Sequence, residues 1–231
     1  MKRALARVLA IGGGTAAVFV GLVGFAHTSA GRPLLGAVTR MAHGGCPFGY
    51  DKPMSPAQRE RASFDFAVSH RGAERAASRP ALGFVLEHTT RADVVALMAK
   101  HGVRCESAKG LSDLACNGVP SAALEGATLA PPRNLWFTFG TKQQMLSVVA
   151  ISRDSEPEAV STAFVSTRSA LDRDAGAATQ THGDAGARAL SEGALHQASA
   201  EFRFTDYYAI TRVTNLGKGF ALTEEYRSLP L

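Results

Sequence analysis

Two cysteines, Cys105 and Cys116, stand eleven positions apart with a polar, glycine-containing segment between them. Val103-Arg104-Cys105 reads as the start of a strand and Leu114-Ala115-Cys116 as its return. A bond between the two cysteines closes a loop of about a dozen residues and stabilises the fold by roughly 3 kcal/mol on the chain-entropy account. The competing readings are two free buried thiols and half of a metal site. Zinc sites carry closely spaced cysteine pairs plus further ligands, and the sequence has neither here.

A disulfide belongs to an oxidising compartment, and the amino terminus supplies a route to one. Lys2, Arg3 and Arg7 precede residues 8–31, which contain no Asp, Glu, Lys or Arg, and Thr28-Ser29-Ala30 ends the run in small residues. That is the three-part form of a secretory signal. The run is also long enough to cross a bilayer as a helix. Residues 1–30 are therefore expected to be a signal peptide or an N-terminal membrane anchor, with the membrane as a partner through that helix. The positive-inside rule puts the remainder on the non-cytoplasmic side of a cell envelope, single-pass anchored or secreted into the periplasm. Gly12, Gly13 and Gly14 are not a phosphate loop, because no strand precedes them and no Gly-Lys-Ser/Thr follows. Of the net charge of +5, Lys2, Arg3 and Arg7 supply three, leaving +2. With no cluster of Lys and Arg interleaved with aromatics, no nucleic-acid partner is expected.

Residues 31–80 read as a linker or wrapped arm that carries one helix. Ser55-Pro56 gives an N-cap and a proline in the first turn. Ala62, Phe66 and Ser69 are its expected inward face, and Arg71-Gly72 its end. Residues 81–152 form a first α+β unit. Its helix, expected over residues 90–101, opens on the capping box Thr90-Arg91-Ala92-Asp93. Val94, Leu97, Met98 and His101 then follow at i, i+3, i+4 and i+7, and Gly102 ends the helix. Leu135, Phe137 and Phe139 alternate with Trp136 and Thr138, a half-buried strand that residues 145–152 return after a turn. Residues 153–231 form the second unit. Ser155-Glu156-Pro157-Glu158 reads as another capping box, and Val160, Ala163, Phe164, Thr167 and Leu171 as an apolar stripe. Residues 172–193 look loose and mobile, low in large apolar side chains. Residues 200–204 alternate as a strand that continues past a bulge into residues 207–213, and residues 220–226 form the last strand. The expected architecture is α+β: two helix-plus-antiparallel-sheet units behind an N-terminal membrane-spanning or signal helix.

Thr90, Val94, Leu97 and Gly102, followed by the hairpin from Phe137 and Phe139 to Leu146 and Val148, make up a pattern found elsewhere. It resembles the small envelope modules of the BamE/SmpA type and the related β-lactamase-inhibitor-protein fold, in which a Thr-capped helix is followed by an antiparallel meander. The resemblance covers about a third of the chain. His88 stands where that family has glycine, and the family's lipid-modified cysteine has no counterpart. The resemblance implies a non-catalytic, protein-binding envelope module.

The search for chemistry returns little. None of the seven histidines stands at metal-binding helix spacing or beside an acidic or cysteine cluster. A nucleophile elbow, a Ser-x-x-Lys set and a Rossmann turn are all missing from the sequence. His88 reads as a residue leading into its helix. No catalytic, cofactor-binding or metal site is therefore assigned. Cys46, in a glycine-rich stretch, reads as a free thiol or one that pairs between chains. Three functional classes follow: a binding or scaffold module with a protein partner in the envelope, a carrier of a small apolar ligand or lipid, and a thiol-dependent enzyme using Cys46. The first is expected. Trp136, Thr138 and Tyr207 alternate with the presumed core residues Phe137, Phe139 and Tyr208, which makes them candidates for an exposed binding face.

Overall fold

A computed structural model describes residues 54–108, 113–125 and 132–229. The expected signal or anchor helix, the arm over residues 31–53 and Cys46 lie outside them. Among the described residues no helix is long and apolar enough to cross a membrane.

Side-chain caps set where the first two helices begin. In α1 (Pro56–His70) the Ser55 hydroxyl accepts from the Gln58 N–H while the Gln58 side chain reaches back to Ser55, with Pro56 in the first turn. In α2 (Arg91–Lys100) Thr90 and Asp93 make the same reciprocal pair. Hydrogen bonds from Thr90 hold the Asp93 carboxyl below its usual pKa. Gly102 follows at φ +71°, a left-handed conformation that only glycine takes without strain. The third helix, α3 (Pro157–Asp174), departs from expectation. Its N-cap is Glu156, whose own side chain makes no cap bond. Asp154 instead accepts from the Glu156 N–H at 3.0 Å, because Pro157 fixes the first turn one residue later than a box at Ser155 requires.

Eight strands form one antiparallel sheet among the described residues, in the order β1-β2-β3-β4-β8-β7-β6-β5. They are β1 (Cys105–Ser107), β2 (Leu114–Val119), β3 (Arg133–Phe139), β4 (Met145–Asp154), β5 (Gln180–His182), β6 (Gln197–Arg203), β7 (Tyr207–Asn215) and β8 (Phe220–Ser228). Each half of the sheet runs from a helix into a three-residue edge strand and then three longer strands. The second half adds a one-turn helix, α4 (Ala187–Ser191), between β5 and β6. The two units expected from the sequence thus share a single sheet: β4 pairs with β8 from Ser147↔Arg227 to Asp154↔Phe220.

The register sorts the side chains into two layers. On the first face lie Leu114, Leu135, Phe137, Val148, Ala150, Leu222, Tyr226, Ala209, Val213 and Phe202, all buried. Val94 and Met98 of α2 and Val160, Ala163, Phe164 and Leu171 of α3 pack with them into one core. The α3 stripe is the one its spacing predicts, down to Thr167. In α2 the inward residues are Val94 and Met98; Leu97 is half-buried and His101 exposed.

α1 packs against the opposite face, and with a different side from the one expected. Arg59, Ser63 and Ala67 are inward, not Ala62, Phe66 and Ser69. Arg59 is ion-paired with Asp113 at the start of the β2 region. Phe66 lies at the helix flank, edge-on to Tyr208 at 4.9 Å and beneath the Arg227 guanidinium at 4.3 Å. Residues 71–80 then carry the chain round the β6–β7 turn to the first face. Gly72 N–H donates to Phe204 O, Ala77 N–H to Ala175 O, and Tyr207 OH to Pro80 O.

Two further expectations are corrected. Residues 172–193 are not the loose segment their composition predicts but contain the end of α3, strand β5 and helix α4. A single large side chain, Leu190, is fully buried there, and Asn215 Nδ2 donates to its carbonyl at 2.8 Å. Between β6 and β7 the chain does not bulge; it reverses over residues 204–206, where the Phe204 N–H donates to Tyr207 O.

Candidate functional site

The reversal at residues 204–206 decides which tyrosine faces which layer. Tyr207 pairs with Ser228 and is buried on the helix face, where desolvation raises its pKa well above the usual value. Tyr208 pairs with Arg203 and Arg227 on the other face, against α1. Tyr207 is therefore a core residue and leaves the proposed binding face. Thr138 does lie on that face, yet it is only 7% exposed, in the row with Ser147 and Arg227 that α1 crosses. Trp136 keeps its place on the second face, half-buried between Ala115 and Val149.

Beyond α1 this second face is open, with no other described helix packed on it. Its rows follow from strand register. One runs Trp136, Val149, Glu225, Ile210, Glu201; the next runs Asn134, Ile151, Thr223, Arg212, Ser199. Trp136, Val149 and Ile151 are half-buried, and Arg212 is exposed. Around this apolar strip the charges are of two kinds. Glu225 accepts from Arg227 at 2.7 Å and Glu201 from Arg203 at 2.9 Å. Burial pushes the Glu201 carboxyl up, but hydrogen bonds from Arg203 and Tyr208 hold it below its usual pKa. Arg153 and Arg212 have no ion pair with any described residue.

A cleft of about 710 Å³ opens between α1 and the β3–β4 turn, lined in part by Glu60, Phe64, Glu87, His88 and Lys142. The bulge between β3 and β4 turns Leu146 toward it, since Thr138 pairs with Ser147 and Phe139 with Met145. Its carboxylates are tied into the fold. Glu60 accepts from the Thr141 N–H and hydroxyl at 2.7 and 2.8 Å, and Glu87 from Ser228 and Arg79. His88 is exposed at the cleft wall.

The other polar cluster is interior. Arg133 donates to Glu224 at 2.5 Å, and Tyr226 OH donates to the second Glu224 oxygen at 2.6 Å, all three on the helix face. Burial, followed by the neighbouring Glu224 charge, drives the Tyr226 pKa far up. Arg133 and Glu224 are each no more than 1% exposed.

Cys105 and Cys116 are register partners at the sheet edge, with sulfurs at bonding distance, 2.00 Å, and Cα atoms 4.2 Å apart. Among the described residues no group of three or more His, Cys, Asp or Glu side chains is placed to hold a metal. Sequence reasoning found Trp136 through strand alternation. It missed Arg153 and Arg212, which come from separate strands and carry no local pattern. No family model, curated protein or solved structure compared with the chain matches it.

Proposed function

We propose that the chain is an exported or membrane-tethered envelope protein that acts as a non-catalytic binding or scaffold module for another protein. The open half of the second sheet face carries this reading: an apolar strip of Trp136, Val149 and Ile151 edged by charged and polar side chains. A dry centre with a polar rim, and Trp and Arg among its residues, is the make-up of protein-binding surfaces. The Cys105–Cys116 pair supports an oxidising compartment, and the resemblance of residues 90–152 to envelope modules points the same way. The test is a photoreactive amino acid in place of Trp136, compared with one in place of Val165 on the outer side of α3. A discrete crosslinked protein adduct at position 136 and none at 165 is the expected outcome. Equal labelling at both positions removes the open face as the binding surface.

A further inference from the structure

We infer that the partner met by the open face presents an acidic segment, a deepening that rests on the binding role proposed above. The argument is one of charge left over. Four of the charged side chains on this face are already matched: Glu225 with Arg227, and Glu201 with Arg203. Arg153 and Arg212 are exposed and unpaired among the described residues. Register puts them on either side of β8, Arg153 opposite Ala221 and Arg212 opposite Thr223. Their other direct cross-strand and same-strand neighbours on this face, Ile151, Ile210, Thr214 and Ser199, are neutral, and the carboxylates one row away, Glu225 and Glu201, are already held by Arg227 and Arg203.

A guanidinium is held at each margin of β8, and the apolar strip of Trp136, Val149 and Ile151 continues from it across β4 to β3. An extended segment with carboxylates over the arginines and apolar side chains over the strip satisfies both. Arginine favours that ligand because its planar fork takes a carboxylate through two hydrogen bonds. An anionic membrane is the weaker fit, since stable electrostatic adsorption takes a cluster of about four to eight cations. The open face supplies two unpaired ones, Arg153 and Arg212, since Arg203 and Arg227 are held by Glu201 and Glu225.

Trp136 is the only tryptophan in the chain, so its emission reports on this face without a label. The probes are three synthetic peptides of equal length and equal apolar content, carrying Glu, Gln or Lys at their polar positions, added to the full chain. The Glu peptide is expected to change Trp136 emission with a Kd at least about tenfold below that of the Lys peptide, and to weaken as salt shortens the screening length. Arg153→Glu with Arg212→Glu is expected to reverse the order. Arg212→Gln alone, a milder change checked by circular dichroism, is expected to narrow the gap. Equal binding of the Glu and Gln peptides overturns the acidic partner and leaves the protein-binding role standing. No response to any peptide overturns both. A response only to vesicles containing phosphatidylglycerol assigns the face to a membrane and overturns the proposal.

Discussion

Arg133 and Glu224 meet at 2.5 Å across the middle of the sheet, although one belongs to β3 of the first half and the other to β8 of the second. Neither is more than 1% exposed. Arg133 Nε and Nη2, with Ser152 Oγ and Thr211 Oγ1 nearby on the same face, have no hydrogen-bond partner among the described residues.

This pair makes an asymmetric stability prediction. Arg133→Met leaves Glu224 buried without its counter-charge and is expected to cost about 3–5 kcal/mol in urea unfolding. The double variant Arg133→Met, Glu224→Leu is expected to recover most of that loss, because a half-satisfied polar network is weaker than a well-packed apolar one. Additive losses would show that the two residues do not act as a unit.

The buried tyrosines set the alkaline limit. Tyr207 and Tyr226 have pKa values pushed well above the usual 10, by burial in both and also by the Glu224 charge next to Tyr226. In the unfolded chain they ionise near pH 10, while in the folded chain they stay protonated. Their contribution is complete below that pH and is lost as pH rises toward the folded values, at up to about 1.4 kcal/mol per pH unit for each tyrosine. Absorbance at 295 nm is expected to rise together with loss of near-ultraviolet circular dichroism. Normal titration near pH 10 in the intact fold would contradict their burial.

Replacing both Cys105 and Cys116 by alanine is expected to lower stability by about 3 kcal/mol on the chain-entropy account. The effect should be local as well as global, since β1 is a three-residue edge strand bonded only to β2. Amide exchange in β1 is expected to accelerate while β3 and β4 stay protected. Peptide mapping without reduction should recover the two cysteines in one linked fragment.

Gly72 sits where the chain passes from α1 to the strap over the β6–β7 turn. A Cβ there would lie 2.0 Å from Arg203 O, a backbone atom that cannot move aside cheaply. Gly72→Ala is expected to destabilise by more than about 1 kcal/mol, and limited proteolysis between residues 71 and 80 should quicken first. An unchanged cleavage pattern would mean that the strap is not held there.

How much of this was legible depends on whether the deciding interaction was local. The caps of α1 and α2, the stripe of α3 and the hairpin of β3 and β4 follow from side chains within a few residues of one another. The faces of Tyr207 and Tyr208 did not, because a reversal at residues 204–206 and a bulge there differ by one step of register, which swaps every side chain between layers. The inward side of α1 was misread because its anchor is polar: Arg59 reaches Asp113, more than fifty positions away. Of the candidate site, Trp136 was visible through alternation. Arg153 and Arg212 flank one strand only because β8 lies between β4 and β7, an arrangement that no sequence window contains.

Of the eight described strands the last in order, β8, lies at the centre of the sheet and not at its rim. During synthesis the other seven described strands emerge before the one that joins them. Until residues 220–228 arrive, β4 and β7 each present an unpaired backbone edge, the kind of surface that recruits foreign strands. A chain that lacks residues 220–228 therefore loses the seam itself, leaving two half-sheets with sticky borders. For such a sheet the arrival of β8 is the closing step of assembly.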